Sequence, residues 1–415
     1  MTMDGLWPRY LLDDRLGALL DGIGDELRAC EDEAESGRRL PASAVTTMRG
    51  LNLFAMSSPE AVGGWEAPPL LEMEVFETVA RFNSSAGWNL FVGSVHSAFP
   101  AAFLGDGAIA EMYRDGGIPI VAGQMQPVGS ARPEPGGMRV SGRYSWGSGI
   151  SHADYVLGGA VLEGGPGPGA GFRVFVGPKE AVEVLDNWHV VGVSGSGSYD
   201  YAVDDVFVPE GWWFDYPEPV VRRGGGKYAV SIQAQIGSAH IGFALGLGRR
   251  ALEEIASLAV AKQRTGAKGS IAVSEVFRRG LGVSYLELMS ARERAAAVLG
   301  RLGTLQQAGE VVDELFVAEV RAVATYVTEV ALSVATNGIR HAGGTAIRLD
   351  NPLQRLVREL LVAQAHMFVT DANYAALGRV ILDRTEPSKP TGTFAAPKPL
   401  QPIERPGPPG GHGWR

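Results

Sequence analysis

One short run of this sequence, from Ser141 to Tyr155, combines an indole, a hydroxyl and glycine backbone at Trp146, Ser148 and Gly149. Glycine lets another molecule approach the backbone closely, and the Ser148 hydroxyl can both donate and accept a hydrogen bond. A large flat ring that is polar only along its edge needs backbone donors, hydroxyls and an aromatic wall. We therefore predict that this run holds a flat cofactor.

A second run of small residues, Ser196, Gly197 and Ser198, offers hydroxyls and backbone amides beside a strand-like segment. Successive amides in such a turn can hold an anion. Other interpretations stay open for both runs. Ser148 can be an ordinary turn serine, Trp146 can equally pack in a core, and residues 196–198 can be only a turn.

Two histidines are candidates for moving protons. His96 is the odd residue in an almost wholly apolar helix, and His366 lies in a segment, 360–370, that contains no carboxylate. Histidine titrates near neutral pH, although a lone histidine on an apolar face is usually a core residue. We expect His152 to brace the turn after Ser148. The histidines and carboxylates show no metal-ligand spacing, so no metal site is predicted.

The composition predicts a folded protein that handles small molecules. The chain has 415 residues, of which 45% are hydrophobic, and a net charge of −9 without any run of Lys and Arg. An acidic chain without a basic patch argues against binding to nucleic acid. The single cysteine, Cys30, fits a reducing compartment. No signal-like start and no membrane-spanning apolar run is evident, so we expect a cytoplasmic protein without a membrane partner.

The elements that must position these side chains change character twice along the chain. Apolar positions recur at helical spacing in residues 1–117, short β-branched segments separated by Gly and Pro occupy 118–222, and long helical patterns return in 223–384. We predict an N-terminal helical domain, a central antiparallel barrel or sandwich, a C-terminal four-helix bundle and a Pro/Gly-rich tail, 385–415. The last bundle helix is predicted to run unbroken over 352–382.

The first helix of the predicted bundle is rich in small residues. Such residues let helices approach one another closely, which favours the association of subunits. We therefore expect an oligomer. The small residues of this helix are Ala239, Gly242, Ala244, Gly246 and Gly248.

Helices, a small β-domain and a four-helix bundle follow one another in the order of the acyl-CoA dehydrogenase fold, and three motifs resemble its flavin-dependent monooxygenase branch. Residues 142–154 resemble its pattern of glycine, Arg, aromatic, Ser-Gly-Ile and His-Ala-Asp. Residues 195–210 resemble its Gly-Thr-Gly-Ser-x-Asp and Phe-Val-Pro signature, with Ser196 in place of threonine. Residues 351–366 resemble its final-helix pattern, which ends in a histidine. The resemblance implies a mainly α-helical fold with a central β-barrel domain.

A flavin is the cofactor that this resemblance implies for the first run. Ser148 would then bond the N5 region of the ring, and Trp146 would stack near the ring with Gly149 beside it. The ribityl or phosphate side of the flavin would be held by Ser196, Gly197 and Ser198.

The resemblance also bears on how the flavin is supplied. Arg264 is similar to an arginine that reaches a flavin phosphate across a subunit interface in this fold. The Phe-Gln pair of the dehydrogenases is replaced by Val276-Phe277, so reduced FMN (FMNH2) suits the chain as well as reduced FAD (FADH2). No Gly-x-Gly-x-x-Gly motif for NAD(P)H is evident, so a separate flavin reductase is expected to supply the reduced flavin.

The last helix distinguishes oxygenation from desaturation. Dehydrogenases of the main branch remove a proton with a glutamate, and His366 stands at about that place here. By the resemblance, His366 would donate a hydrogen bond to a flavin C4a-hydroperoxide formed with O2, or shuttle its proton. His96 would hold the substrate or remove a proton from it. Ser148 would fix the flavin.

The implied function is that of the oxygenase component of a two-component flavin monooxygenase, acting as a homotetramer. Its substrate would be an electron-rich aromatic or heteroaromatic small molecule that is hydroxylated, or an amine that is N-oxygenated, in specialised metabolism or aromatic catabolism. One alternative is an acyl-CoA dehydrogenase with a displaced base, Glu359 or Asp371. Another is a non-catalytic member of the fold that acts as a binding subunit.

Overall fold

The computed structural model of the protein describes residues 4–165, 171–263 and 269–385. Within these ranges the chain forms eleven α-helices and seven β-strands, with all the strands lying between the sixth and the seventh helix. The predicted order of helices, β segment and helices is therefore confirmed. None of the described helices is both long and apolar enough to cross a bilayer.

Six helices precede the sheet, and the fifth of them carries His96. The Asn83 side chain accepts a hydrogen bond from the backbone N–H of Ala86 and so caps the start of this fifth helix, in which almost every residue is buried. The six helices are α1 (Asp14–Ala29), α2 (Glu31–Gly37), α3 (Ala42–Gly50), α4 (Pro69–Phe82), α5 (Ser84–Phe103) and α6 (Asp106–Met112).

The seven strands form one mixed sheet rather than the predicted antiparallel barrel or sandwich. Their order is β5-β6-β2-β1-β3-β4-β7, and the outer strands β5 and β7 are not paired with each other in the described part of the chain. The strands are β1 (Val121–Glu134), β2 (Gly137–Gly147), β3 (Tyr155–Leu162), β4 (Phe172–Pro178), β5 (Glu183–Leu185), β6 (Tyr199–Pro209) and β7 (Trp213–Tyr216).

One parallel pair explains why the prediction of an antiparallel sheet was wrong. β2 folds back on β1 as a hairpin and occupies one edge of it. The turn after β2 then carries the chain back to the start of β1, where the backbone N–H groups of Asp154 and Tyr155 donate to the carbonyl of Ile120. β3 therefore runs beside the other edge of β1 in the same direction. The cofactor-binding run predicted from the sequence lies in this connecting turn.

The C-terminal half consists of the helices α7 (Ile232–Ala261), α8 (Glu275–Ala308), α9 (Glu314–Ala342), α10 (Pro352–Gln364) and α11 (Asp371–Thr385). Gly242, Gly246 and Gly248 of α7 pack inside the chain, whereas they were predicted to serve subunit association. A Cβ on Gly242 would lie 2.6 Å from the Met73 carbonyl oxygen, and one on Gly246 would lie 2.4 Å from that of Glu77. These glycines therefore let α4 pack closely against α7.

The predicted last helix is broken at residues 365–370, and His366 lies in the break rather than on a helix. The Asn373 side chain donates to the carbonyl of Phe368 at 2.9 Å and to Thr325 Oγ1 at 3.0 Å, which ties the break to α9. The apolar pattern continues across the break, so periodicity alone does not reveal it. Asp371 then begins α11 with an acid in its first turn.

Candidate active site

The turn that follows β2 is fixed by backbone hydrogen bonds to a second loop. The N–H of Gly149 donates to the carbonyl of Ser196 at 2.8 Å, and the N–H of Ser148 donates to the carbonyl of Trp146 at 2.9 Å. Gly149 has a φ of 76°, and a Cβ there would lie 2.9 Å from Asn89 Oδ1. The positive φ and the lack of space for a Cβ each require glycine at position 149. The two runs predicted from the sequence are adjacent in space.

Three hydroxyls form a chain within this turn. Ser148 Oγ lies 2.7 Å from Ser198 Oγ, which in turn lies 2.7 Å from Ser196 Oγ. Trp88 Nε1 donates to Ser148 Oγ at 3.1 Å. Ser196 and Ser198 are more deeply buried than Ser148, which is 9% exposed. Because an indole N–H can only donate, Trp88 fixes one acceptor position of Ser148.

Trp146 is not a core residue, because its side chain is 60% exposed. It has a φ of 62°, in the left-handed region that bulky residues rarely adopt. Such backbone strain persists where the surrounding structure enforces it, often beside a ligand site. The turn therefore presents an indole to the outside of the chain two residues before the Ser148 hydroxyl. Gly197 in the neighbouring loop also has a left-handed φ, of 54°.

The indole of Trp88 connects this turn to a pair of histidines. Its ring meets His366 edge-on, with ring centroids 5.6 Å apart, and meets His240 edge-on at 5.9 Å. The two imidazoles are stacked on each other at 5.4 Å with an angle of 28° between their planes. Aromatic rings prefer such edge and offset contacts. Ser148 and His366, both predicted from the sequence, are thus brought together through Trp88.

Both stacked imidazoles keep a ring nitrogen without a hydrogen-bond partner. These atoms are Nδ1 of His366 and Nε2 of His240, while Nδ1 of His240 lies 3.4 Å from Thr328 Oγ1. Burial lowers the pKa of His366 to about 4. Burial, and then the charge of His366, lowers the pKa of His240 well below its ordinary value, although the nearby backbone of Ala363 acts in the opposite direction. Both rings are therefore uncharged at neutral pH and can donate or accept a hydrogen bond.

His96 lies on α5, eight residues after Trp88 and so about 12 Å further along the helix axis. Its Nδ1 is buried without a partner, and its ring centroid is 6.5 Å from that of Phe99. Burial, and then the charge of His366, lowers the pKa of His96 to about 4. His96 and His366 therefore interact electrostatically, and His96 is also uncharged at neutral pH.

Two members of this arrangement, Trp88 and His240, were given no role in the sequence analysis. Each is a buried ring with a polar atom on an apolar helix, α5 and α7 respectively. A buried polar atom needs a hydrogen-bond partner. A ring with such an atom on an apolar helix was therefore the signal by which Trp88 and His240 could have been found. Arg264, which was predicted to reach a flavin phosphate, lies outside the described residues.

Glu359 and Asp371, the alternative bases, have other surroundings than the histidines. Glu359 is buried beside Glu31, Arg250 and Arg355. Burial, and then repulsion from Glu31, raises its pKa to about 8, so it is mostly a neutral acid at pH 7. Asp371 is exposed at the start of α11. In the part of the chain that the structure describes, no hydrogen bond is found between either carboxylate and the stacked imidazoles.

The C-terminal half of the chain matches a known family. Residues 238–371 match the family model described as "Acyl-CoA dehydrogenase, C-terminal domain". Among curated relatives, an indole-3-acetate monooxygenase from Pseudomonas putida is 27% identical over 88% of this chain and 93% of its own length. The oxygenase component of an FADH(2)-dependent resorcinol hydroxylase from Rhizobium sp. is 25% identical over 92% of this chain and 96% of its own.

Solved structures resemble the fold over nearly its whole length. The 3-HSA hydroxylase from Rhodococcus sp. RHA1 superposes with a TM-score of 0.81 at 22% identity, covering 88% of this chain and 96% of its own. XiaF from Streptomyces sp., in complex with FADH2 and glycerol, superposes with a TM-score of 0.80 at 21% identity, covering 90% and 97%. The predicted acyl-CoA dehydrogenase-like fold is confirmed, and so is the resemblance to its flavin-dependent monooxygenases.

Proposed function

We propose that this chain, which has the acyl-CoA dehydrogenase fold, is the oxygenase component of a two-component flavin monooxygenase. It would use reduced flavin and O2 to hydroxylate an electron-rich aromatic small molecule. One observation carries the proposal. Trp88 Nε1 donates to the Ser148 hydroxyl while its ring meets the stacked imidazoles of His240 and His366, which joins a cofactor turn to uncharged proton carriers.

The turn after β2 fits a flavin on three counts. Trp146 offers an exposed indole face, Ser148 offers a hydroxyl at the end of a buried hydroxyl chain, and Gly149 leaves the backbone open to close approach. An isoalloxazine ring is large and flat and is polar only along its edge. Trp146 would stack near the ring, Ser148 would bond its edge, and Ser196 and Ser198 would act through Ser148, whose hydroxyl they support.

Reduced flavin supplies the two electrons that divide O2 between a substrate hydroxyl and water. The residues of this chain do the remaining work. His366 holds or moves a proton at its free Nδ1, and His96 holds the substrate or removes its proton at its own free Nδ1. Both rings are uncharged at neutral pH, so each can act as a base. The apolar residues of α5 exclude water from the space between them.

The two alternatives are less well supported. Desaturation of an acyl-CoA needs a carboxylate near the flavin, and Glu359 faces an ion-pair cluster with Arg250 and Arg355 instead. A non-catalytic binding subunit would have no reason to keep uncharged, unpartnered imidazoles beside a hydroxyl turn, since buried polar atoms without partners cost stability.

We further propose a cytoplasmic homotetramer that receives FADH2 or FMNH2 from a separate flavin reductase, with the domain division 1–117, 118–222 and 223–384. The bundle supports the association of subunits, because α8 carries exposed apolar side chains. Exposed apolar patches on soluble proteins are often subunit contacts. The exposed side chains are Val276, Val283 and Leu286. N-oxygenation of an amine is the second substrate class that we propose to test.

The proposal is tested by binding reduced FAD and reduced FMN anaerobically and then adding O2. Bound flavin should reoxidise more slowly than free flavin, and should release less hydrogen peroxide when an aromatic substrate is present. Ser148→Ala should weaken the binding of reduced flavin up to about 10-fold, because a neutral hydrogen bond contributes about 0.5–1.5 kcal/mol. Ser36→Ala, on the exposed side of α2, should bind reduced flavin as the wild type does. Equal reoxidation rates for bound and free flavin would contradict the proposal.

A further inference from the structure

The helices α7 and α9, which meet at His240 and Thr328, run in the same direction. His240 on α7 pairs with Thr328 on α9, and further along the same two helices Ile255 on α7 packs against Gly338 on α9. The residue numbers rise together, so α7 and α9 run parallel. Toward the N-terminal ends, Arg321 lies seven residues before Thr328, which corresponds to about 10 Å along the axis.

Matching positions on these helices form two facing rows. Residues spaced by four and then three positions share one helix face. The row on α7 is Gln233, Gly237 and His240, and the row on α9 is Arg321, Thr325 and Thr328. The α9 row faces the segment that carries His366, because Thr325 Oγ1 accepts from Asn373 and lies 3.4 Å from the carbonyl oxygen of Thr370.

The middle of the α7 row borders empty space. Gly237 is buried, yet a Cβ at this position would have no heavy atom within 4 Å apart from its chain neighbours and the nearby backbone of its own helix. Gly242 and Gly246 of the same helix differ, because a Cβ on either would collide with α4. Protein interiors are close-packed, so a buried glycine with room beside it marks a cavity. This cavity begins one helical turn from His240.

The N-terminal end of the α9 row holds a cation that is unpaired among the residues that the structure describes. Arg321 is partly buried, its Nε has no hydrogen-bond partner, and it has no ion pair with any residue that the structure describes. Its neighbour Tyr216 accepts a hydrogen bond from Gln233 Nε2. Burial lowers the pKa of the Arg321 guanidinium, while Tyr216 acts in the opposite direction. A partly buried guanidinium without a carboxylate is costly unless a ligand pairs with it.

An aromatic wall leads from His96 to the same end. Phe99 follows His96 at 6.5 Å, Phe103 is stacked on Phe99 at 6.1 Å, and Phe214 of β7 lies 5.2 Å from Phe103. Phe214 and Tyr216 are two residues apart on one strand, so their side chains lie on the same face of the sheet. The aromatic wall that starts at His96 therefore ends beside Arg321. The α7 row that starts at His240 ends at the same place.

We propose that Arg321 anchors the substrate through an acidic group, which makes the substrate an aromatic acid. The carboxylate pairs with the guanidinium, and the ring lies beside Gly237 with its reacting carbon toward His96 and His366. Guanidinium and carboxylate match in a two-point hydrogen-bonded pair. The distance of about 10 Å between the ends of the α9 row suits a ring that carries a short acidic side chain. This inference rests on the proposed monooxygenase function and narrows its substrate class.

The test compares acids with their uncharged amides. Benzoate, phenylacetate and indole-3-acetate, each with its amide, are titrated into the flavin-loaded full-length protein by calorimetry. The wild type should bind at least one acid more tightly than its amide, and Arg321→Gln should weaken the binding of that acid about 10- to 100-fold while changing amide binding little. Arg321→Lys should recover part of the preference. Arg340→Gln, on the exposed end of the same helix, should change neither.

Either of two results would contradict the proposal that Arg321 anchors the substrate. They are equal binding of every acid and its amide by the wild type, and unchanged acid binding by Arg321→Gln. Slow reoxidation of bound reduced flavin in Arg321→Gln, measured without any substrate, shows that the flavin site is intact. This measurement distinguishes loss of the substrate anchor from failure of the proposed monooxygenase function. Gly237→Val should weaken acids and amides alike at least 10-fold by filling the cavity. Gly282→Val, at an exposed glycine of α8 with equally open surroundings, should not.

Discussion

Two clusters of buried polar side chains differ in how their polar atoms are paired. In the first, Arg292 of α8 is 1% exposed and its Nε lies 3.0 Å from both carboxylate oxygens of Glu77, although its Nη1 has no hydrogen-bond partner. Its guanidinium also lies over the rings of Trp7 and Tyr10, at 5.4 and 5.0 Å. In the second, His96, His240 and His366 each keep a ring nitrogen without a partner.

The difference separates a structural cluster from a chemical one. A buried charge that is paired holds elements together, and here Arg292 joins the N-terminal segment, α4 and α8. Uncharged imidazoles with free nitrogens contribute little to such cohesion, and they are available to a substrate. The comparison predicts opposite mutant phenotypes, with stability lost in the first cluster and chemistry lost in the second.

The largest expected effect is on chemistry. His366→Ala should lower the rate of product formation about 10²- to 10⁴-fold, the usual contribution of a general acid or base. Oxygen consumption should continue, with hydrogen peroxide as its product, because flavin binding is left to Trp146 and Ser148. The measurement is the ratio of hydroxylated product to oxygen consumed, together with the thermal midpoint, which should hardly change.

His189→Ala is the matched control, because His189 is exposed and its Nε2 lies 3.3 Å from the Arg38 side chain. It should keep the wild-type ratio of product to oxygen. A His366→Ala protein that couples oxygen to product as well as the wild type would remove His366 from the site. A large fall in its thermal midpoint would instead place His366 with the structural residues.

The second effect is on stability. Arg292→Met removes one member of a buried pair and leaves the Glu77 carboxylate without its counter-charge, so the free energy of unfolding should fall by about 3–5 kcal/mol. The thermal midpoint, measured by circular dichroism, should fall accordingly. The fraction of oxygen converted to product should stay normal in the protein that remains folded.

Arg294→Met provides the comparison on the same helix. Arg294 pairs with Glu319, but its side chain is half exposed, so the loss should be at most about 1 kcal/mol. Equal losses for the two variants would mean that the Arg292 cluster adds no more stability than a surface pair. The contrast between the two buried clusters would then fail.

Local features of the sequence made much of the fold predictable. Turn residues and helical periodicity placed the β segment and the bundle, and the motifs that contain Ser148, Ser196 and His366 indicated the fold family. These signals depend on residues close to one another in the chain. They could not reveal the parallel pairing of β1 with β3, because that depends on which edge of β1 the hairpin already occupies.

The arrangement of the site depended on contacts between distant residues. His240 meets His366, and Trp88 meets both, only because α5, α7 and the break after α10 pack together. Nothing near His240 in the sequence marks it as part of a site. Trp146 was predicted either to stack near a flavin or to pack in a core, and its exposure excludes the core. Its contact with flavin stays a prediction.

Glu359 shares one feature with each of the two clusters. The effect expected from changing it is the smallest, and it tests the distinction between the clusters most directly. It is packed against Arg250, Arg355 and Glu31, as a structural residue would be. Its Oε2 nevertheless has no hydrogen-bond partner, as in the histidine cluster. Burial, and then Glu31, raises its pKa from 4.5 to about 8, whereas Ser84 and the two arginines act in the opposite direction.

A raised pKa means that the folded state holds a proton that the unfolded state has already released, so stability falls as the pH rises toward 8. Between pH 6.5 and 8.5 Glu359 alone should cost about 2 kcal/mol of unfolding free energy. His96, His152, His240 and His366, whose pKa values are lowered in the folded protein, act in the opposite direction near pH 6.5. Glu359→Gln cannot lose a proton, so its thermal midpoint should fall less steeply with rising pH than that of the wild type, or rise more steeply. Glu33→Gln, an exposed acid of α2, should keep the wild-type slope. An unchanged slope in Glu359→Gln would show that Glu359 stays ionised and paired with its arginines, which would assign it to the structural cluster alone.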